Sequence, residues 1–109
     1  MKMYKLIRQD DLDAMINQHS RFLLYKNSTT CPVSTEAFEE VRSYSEEDEA
    51  LPVAYLHVQE AREASDYAAN YFDVRHKSPQ ILLVENGSCS WNASHWHITA
   101  DAIRSVAEK

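Results

Sequence analysis

Of the two cysteines in this chain, Cys31 and Cys89, only Cys31 stands in a setting that would activate a thiol. It lies within Asn27-Ser28-Thr29-Thr30-Cys31-Pro32-Val33-Ser34, between the apolar run Phe22-Leu23-Leu24-Tyr25 and the stretch Glu36-Ala37-Phe38-Glu39-Glu40-Val41. The apolar run reads as a buried strand and the second stretch as an amphipathic helix, so Cys31 falls where a strand ends and a helix begins. Pro32 suits the first helical position, where its missing N–H costs nothing and its fixed φ is already helical. A thiol there faces backbone N–H groups and the positive end of the helix dipole, and both favour the thiolate. Cysteines so placed ionise at roughly 3.5–7.5, against about 8.5 for a free one. The expectation is a nucleophilic Cys31; the competing reading is a packed structural thiol.

The elements that must hold this thiol can be read along the chain. Tyr4-Lys5-Leu6-Ile7 reads as a short leading strand. Asp10 or Asp11 then caps a helix with Leu12, Met15 and Ile16 on one face. Phe22 to Lys26 is a central strand covered on both sides. The Cys31 helix turns Ala37, Phe38, Val41 and Tyr44 inward, with Glu36, Glu39 and Glu40 facing water. Ser45-Glu46-Glu47-Asp48-Glu49 is a solvated acidic connector rather than a cation site. Val53 to Val58 is the next strand, followed by a helix from about Ala61 to Phe72 with Ala64, Tyr67, Ala68, Tyr71 and Phe72 on its core face. Asn86-Gly87 turns a hairpin between strands Gln80 to Glu85 and Ser88 to Ala93. Thr99 caps a last helix carrying Ile103, Val106 and Ala107. After the leader the order is β-α-β-α-β-β-α, an α/β arrangement with one mixed sheet flanked by helices. Pro79 enters the third core strand at its end, where a proline is tolerated.

Composition narrows the function classes. With 109 residues the chain builds one domain spanning 1–109. A single glycine argues against a Gly-rich phosphate loop. A net charge of −6 argues against general nucleic-acid binding, which needs basic surface. Met1-Lys2-Met3-Tyr4-Lys5 lacks the apolar run of a signal peptide, and no segment has the ~20 apolar residues of a membrane span. Two cysteines in that setting point to a reducing cytoplasm and free thiols, with no membrane partner.

These residues resemble the thioredoxin superfamily, whose features are a nucleophilic cysteine at the first core helix and a cis-proline before the third core strand. Here those are Cys31 and Pro79. Within the superfamily, Thr30-Cys31-Pro32-Val33-Ser34, His76-Lys77-Ser78-Pro79-Gln80 and Trp91-Asn92-Ala93-Ser94-His95-Trp96 are similar to the monothiol bacilliredoxins. The resemblance covers nearly the whole chain. It implies a thioredoxin-like fold in which the Pro79 loop lies beside Cys31 and pairs with bound substrate. It also implies removal of bacillithiol from protein mixed disulfides, with Cys31 attacking and retaining the bacillithiol. Bacillithiolated proteins, a low-molecular-weight thiol and a recycling reductase are then the expected partners, and no cofactor beyond bacillithiol as co-substrate is expected.

The remaining site residues follow from that placement. Ser34 stands where a dithiol enzyme carries its resolving cysteine; its hydroxyl can hydrogen-bond the thiolate but cannot complete a disulfide. Lys26, His76 and Lys77 are expected near Cys31 as positive partners for the malate carboxylates of bacillithiol. Ser78, Ser94 and His95 are expected to line the thiol-ligand pocket, with Thr30, Pro32 and Pro79 supporting the active site. His95 and His97 have no Cys, Asp or Glu at ligand spacing, so no metal is expected. Trp91 is expected to pack in the core, as are the other tyrosines and tryptophan. Cys89 begins the fourth strand, at the end of the sheet away from Pro79. At ~3.3 Å per residue this is roughly 20 Å from Cys31, well past the ~7 Å Cα limit for a disulfide.

Two other classes share this fold. A thiol peroxidase of peroxiredoxin type uses Pro-x-x-x-Thr-x-x-Cys, where this chain has Leu24 and Ser28. A non-catalytic thioredoxin-like module or an iron–sulfur carrier is the other; the carrier type has Cys-Gly-Phe-Ser, where this chain has the bulkier Pro32-Val33.

Overall fold

The computed structural model describes residues 3–109; Met1 and Lys2, part of the N-terminal stretch read above for a signal peptide, lie outside the described residues. The elements are β1 (Met3–Lys5), α1 (Gln9–Gln18), β2 (Arg21–Asn27), α2 (Pro32–Ser45), β3 (Val53–His57), α3 (Arg62–Phe72), β4 (Gln80–Glu85) and β5 (Ser88–Ser94). A single 3-10 turn over His95–His97 and α4 (Ala100–Ala107) complete the chain. The strands form one sheet in the order β1-β3-β2-β4-β5. β1 and β2 flank β3 in parallel, β4 runs antiparallel to β2, and β5 antiparallel to β4.

Strand periodicity decides which side chains go where. On β2, Phe22 and Leu24 point to one face and join Leu12, Ala64, Ala68 and Leu82 under α1 and α3. Leu23 and Tyr25 point to the other and join Val41, Tyr44, Ile81 and Ile103 under α2 and α4. All of these are buried. Each fully buried Leu, Ile or Phe contributes ~1.5–3 kcal/mol, so the two layers together fix the sheet. The same alternation sends Lys26 toward α3 and Asn27 toward α2.

The hairpin falls where it is expected. Asn86 and Gly87 have φ of 53° and 80°, the doubly positive pattern whose twist matches an antiparallel pair. Thr99 caps α4, its hydroxyl accepting from the Ala102 N–H at 3.1 Å. Three local expectations need correction. Neither Asp10 nor Asp11 precedes α1; Asp11 lies in its first turn, and its carboxylate accepts from the N–H groups of Ile7 (2.8 Å) and Arg8 (2.9 Å). Glu40 does not simply face water, because its carboxylate accepts from the Ala100 N–H at 2.8 Å and so holds the start of α4 against α2. Tyr4, Tyr71 and Trp96 are exposed rather than core.

Candidate active site

Cys31 is the last non-helical residue before α2, with extended backbone, and Pro32 is the first helical residue. Its carbonyl accepts from the N–H groups of Ser34 (3.0 Å) and Thr35 (3.3 Å), which closes the first turn directly behind the thiol. The backbone N–H of Ser34, then that of Val33, hold the Cys31 thiol below the ordinary cysteine range; the Ser34 hydroxyl adds to this, and partial burial opposes it. No cationic side chain is needed, since the helix start supplies the positive end.

The loop before Cys31 is tied down by a residue the sequence did not single out. Gln59, just after β3, donates from Nε2 to the hydroxyls of Ser28 (2.8 Å) and Thr30 (3.3 Å), and its Oε1 accepts from the Thr29 N–H (3.1 Å). Ser34 is fully buried, and its Oγ accepts from the Ser28 N–H at 3.3 Å. Beneath it, the Tyr25 hydroxyl lies within hydrogen-bond reach of the Ser34 carbonyl (2.9 Å) and Asn27 Oδ1 (3.1 Å), and the Asn27 amide donates to His57 Nδ1 (3.0 Å). Burial, with the nearby Cys31 thiolate second, keeps Tyr25 protonated and therefore a donor. This chain anchors the head of α2 to β2 and β3, and only the fold brings its members together.

The second wall is the loop into β4. The Ser78-Pro79 peptide is cis. Gln80 pairs with Lys26 of β2 on one side and Ser94 of β5 on the other. Its buried amide donates to the Arg75 carbonyl (3.0 Å), while its Oε1 accepts from the Lys77 N–H (3.4 Å). The Pro79 carbonyl accepts from the His95 N–H at 3.1 Å. His95 has a φ of 55°, a left-handed conformation that costs a non-glycine residue ~1–3 kcal/mol. That kink ends β5 and turns His95 and Trp96 toward α2. The Ser78 hydroxyl is buried with no hydrogen-bond partner among the described residues.

Placement therefore divides the expected site residues. Cys31, Thr30, Pro32, Ser34, Ser78, Pro79, Ser94 and His95 come together at one end of the sheet. His76 and Lys77 are exposed on the Pro79 loop at that end. Lys26 is the correction: it is fully buried and cannot meet a ligand at the surface. Its Nζ donates to the Ser65 carbonyl (3.0 Å) and lies 3.3 Å from His76 Nδ1. An uncompensated buried ammonium would cost several kcal/mol, and burial pushes Lys26 down to about 8. His76 turns Nδ1 inward to Lys26 and Ser65, and desolvation of that side of the ring first, with Lys26 second, holds it below the ordinary histidine range. Lys26 thus joins β2, α3 and the Pro79 loop. No group of three or more metal-ligating side chains occurs among the described residues.

Cys89 is elsewhere. It pairs with Val84 at the hairpin end of β5 and packs on the α1/α3 side of the sheet. Burial raises its thiol above the ordinary cysteine range, and its Sγ–H donates to the Trp91 carbonyl at 3.3 Å. Both cysteines are free.

A mixed five-stranded sheet with an activated thiol heading its first core helix, and a cis-proline at the same end of the sheet, defines a thioredoxin-fold thiol oxidoreductase. The family model described as monothiol bacilliredoxin BrxC matches residues 4–103, and the chain belongs to that family. Among solved structures, one described as a candidate oxidoreductase with a thioredoxin fold is 31% identical, with a TM-score of 0.90, covering 99% of this chain and 95% of that one. Fasciola hepatica thioredoxin is 18% identical with a TM-score of 0.78, covering 97% of each chain. A mutant thioredoxin from Halobacterium salinarum is 19% identical with a TM-score of 0.77, covering 98% of this chain and 88% of that one. The last two bear on the fold alone. Among the described residues no helix is long and apolar enough to cross a membrane.

Proposed function

We propose that this protein removes bacillithiol from protein mixed disulfides in a reducing cytoplasm. The Cys31 thiolate attacks the bacillithiol sulfur of the mixed disulfide. A new S–S bond forms between Cys31 and bacillithiol, the old S–S bond breaks, and the target leaves as a thiolate that takes a proton from water. Ser34 steadies the attacking thiolate through its hydroxyl and the N–H of its first-turn peptide. The Pro79 loop presents its backbone to the target segment, with Thr30 and Pro32 framing the thiol. His76, Lys77, Ser94 and His95 are the side chains offered to the small thiol, and its malate carboxylates suit Lys77. A second small thiol or a recycling reductase then attacks the Cys31 adduct and frees the enzyme.

The carrying observation is that the residue one turn beyond the activated Cys31 is a buried serine and not a second thiol. The test is to expose the reduced protein to the disulfides of bacillithiol, glutathione and coenzyme A, and to locate each adduct by mass. Fast, stoichiometric bacillithiol addition at Cys31 is expected. Preferential addition of either other thiol, or turnover of peroxide, would overturn the reading.

A further inference from the structure

Two hollows meet beside the reactive thiol. The first is lined by Thr29, Thr30, Cys31, Pro32, Thr35 and Glu36. The second, of about 440 Å³, continues from Thr35 and Glu36 to Val33, Ile98, His95 and Trp96. Thr35 and Glu36 line both, so a group bonded to Cys31 Sγ has a continuous path along the outer face of α2. A volume of this order is that of a small-molecule site.

The walls of the second hollow are unlike the rest of the surface. Trp96 is 69% exposed, the most exposed large apolar side chain among those described, and no ring or cation packs on it there. Of the carboxylates at this face, Glu40 is committed to the Ala100 N–H and Glu39 lies 3.4 Å from Arg42. Glu36 has no hydrogen-bond or ion-pair partner among the described residues. The hollow therefore brings an exposed indole and an unengaged carboxylate together with two apolar side chains, Val33 and Ile98.

That combination has a specific chemical complement. A pyranose ring carries C–H groups on one face, which pack on an indole, and hydroxyls at its edge, which donate to a carboxylate. A glutamyl peptide or a nucleotide phosphate would bring further negative charge to Glu36 and Glu39. We infer that this hollow is the subsite for the sugar of a glycosylated small thiol, with Trp96 packing against the ring and Glu36 accepting from its hydroxyls. This rests on the proposed chemistry at Cys31 and deepens it: the sugar-bearing thiol is separated from glutathione and coenzyme A on the α2 face, which His95 joins to the Pro79 loop.

The exchange follows the one written above with a symmetrical disulfide in place of the protein mixed disulfide: the Cys31 thiolate bonds one half, the old S–S bond breaks, and the other half leaves as a thiolate. Rates of adduct formation are measured by mass with bacillithiol disulfide, which carries the amino sugar, and with cystine, which does not. The ratio of the two rates is the readout, because a general loss of thiol reactivity cancels in it. Trp96→Ala is expected to lower that ratio about ten-fold, and Glu36→Gln to lower it by a smaller factor. Trp96→Tyr should restore most of it, since a phenol ring still presents a flat face. Tyr71→Ala, which removes an exposed ring on α3, should leave the ratio as in the parent. A parent ratio well above one that survives Trp96→Ala overturns the subsite while leaving the proposed function standing. A parent protein that does not add bacillithiol at all overturns the function itself.

Discussion

Cys31 and Cys89 are the same side chain at opposite ends of one sheet, and the fold treats them oppositely. Cys31 opens a helix, and the Ser34 and Val33 N–H groups pull its thiol down. Cys89 lies in an antiparallel strand, where backbone amides are spent on the ladder and burial pushes its thiol up. Ser94, at the Cys31 end of β5, is five residue steps from Cys89, roughly 17 Å at ~3.4 Å per residue. They also belong to opposite faces, since Cys89 packs under α1 and α3 while α2 covers the other side. Both thiols are half-buried, so the difference between them comes from the position the backbone gives each, and the strand cysteine serves as an internal control for the one at the helix start.

The comparison breaks most plainly by deletion. Cys31→Ser should abolish adduct formation with a bacillithiol mixed disulfide, while Cys89→Ser should retain the rate within about two-fold. Intact mass spectrometry reads both. An internal Cys31–Cys89 disulfide in oxidised native monomer would refute the separation.

A second variant moves a thiol from the far end to the near one. Cys31 and Ser34 are three residues apart across the first turn of α2, a spacing that brings Cα atoms to about 5–6 Å, inside the ~7 Å limit. Ser34→Cys therefore places a resolving thiol within disulfide reach. The bacillithiol adduct should become transient and give way to an internal 31–34 disulfide with release of bacillithiol. An adduct as long-lived as in the parent would mean that the buried position cannot turn toward Cys31.

Much of this was legible in the sequence, for reasons that differ by element. The head of α2 could be read because Pro32, the apolar run before it and the amphipathic stretch after it are all local signals. Asn86-Gly87 and Thr99 declared their turn and cap in the same way. Lys26 could not be read, because a lysine ending an apolar run is ordinarily a strand end at the surface. Its burial depends on Ser65 and His76, contributed by α3 and the Pro79 loop. Gln59, the Tyr25–Asn27–His57 chain and the Trp96 hollow were missed likewise. Each joins segments that meet only after the sheet has formed, and none leaves a periodic mark.

Titration sharpens the contrast. The alkylation rate of Cys31 against pH should inflect below the ~8.5 of free cysteine, and that of Cys89 above it. Ser34→Ala should raise the Cys31 inflection only slightly, because the larger contribution is the Ser34 N–H, which alanine keeps. A shift that carries Cys31 to the free-thiol value would assign the activation to the hydroxyl.

The smallest effect is on folding stability, and its sign differs between the two thiols. Between the lowered folded pKa of Cys31 and the ordinary unfolded value, the unfolded chain binds the extra proton, so stability rises with pH. That contribution is lost as pH falls through the folded pKa. Above the ordinary value, unfolded Cys89 ionises before folded Cys89, so stability falls with pH. Subtracting the denaturation curves of Cys31→Ser and Cys89→Ser from the parent curve should isolate a rise below ~8.5 and a fall above it. Two differences of the same sign would show that the thiols do not occupy distinct environments.

The buried Ser34 has one more consequence. With no second thiol one turn away and Cys89 out of reach, nothing folded into the chain can discharge a loaded Cys31. The waiting time before discharge belongs to the surroundings: it is the interval until a competent thiol collides with the end of the sheet. The fraction of molecules found loaded at any instant then works as a gauge, whose needle is set by how fast sulfur arrives compared with how fast it is fetched away.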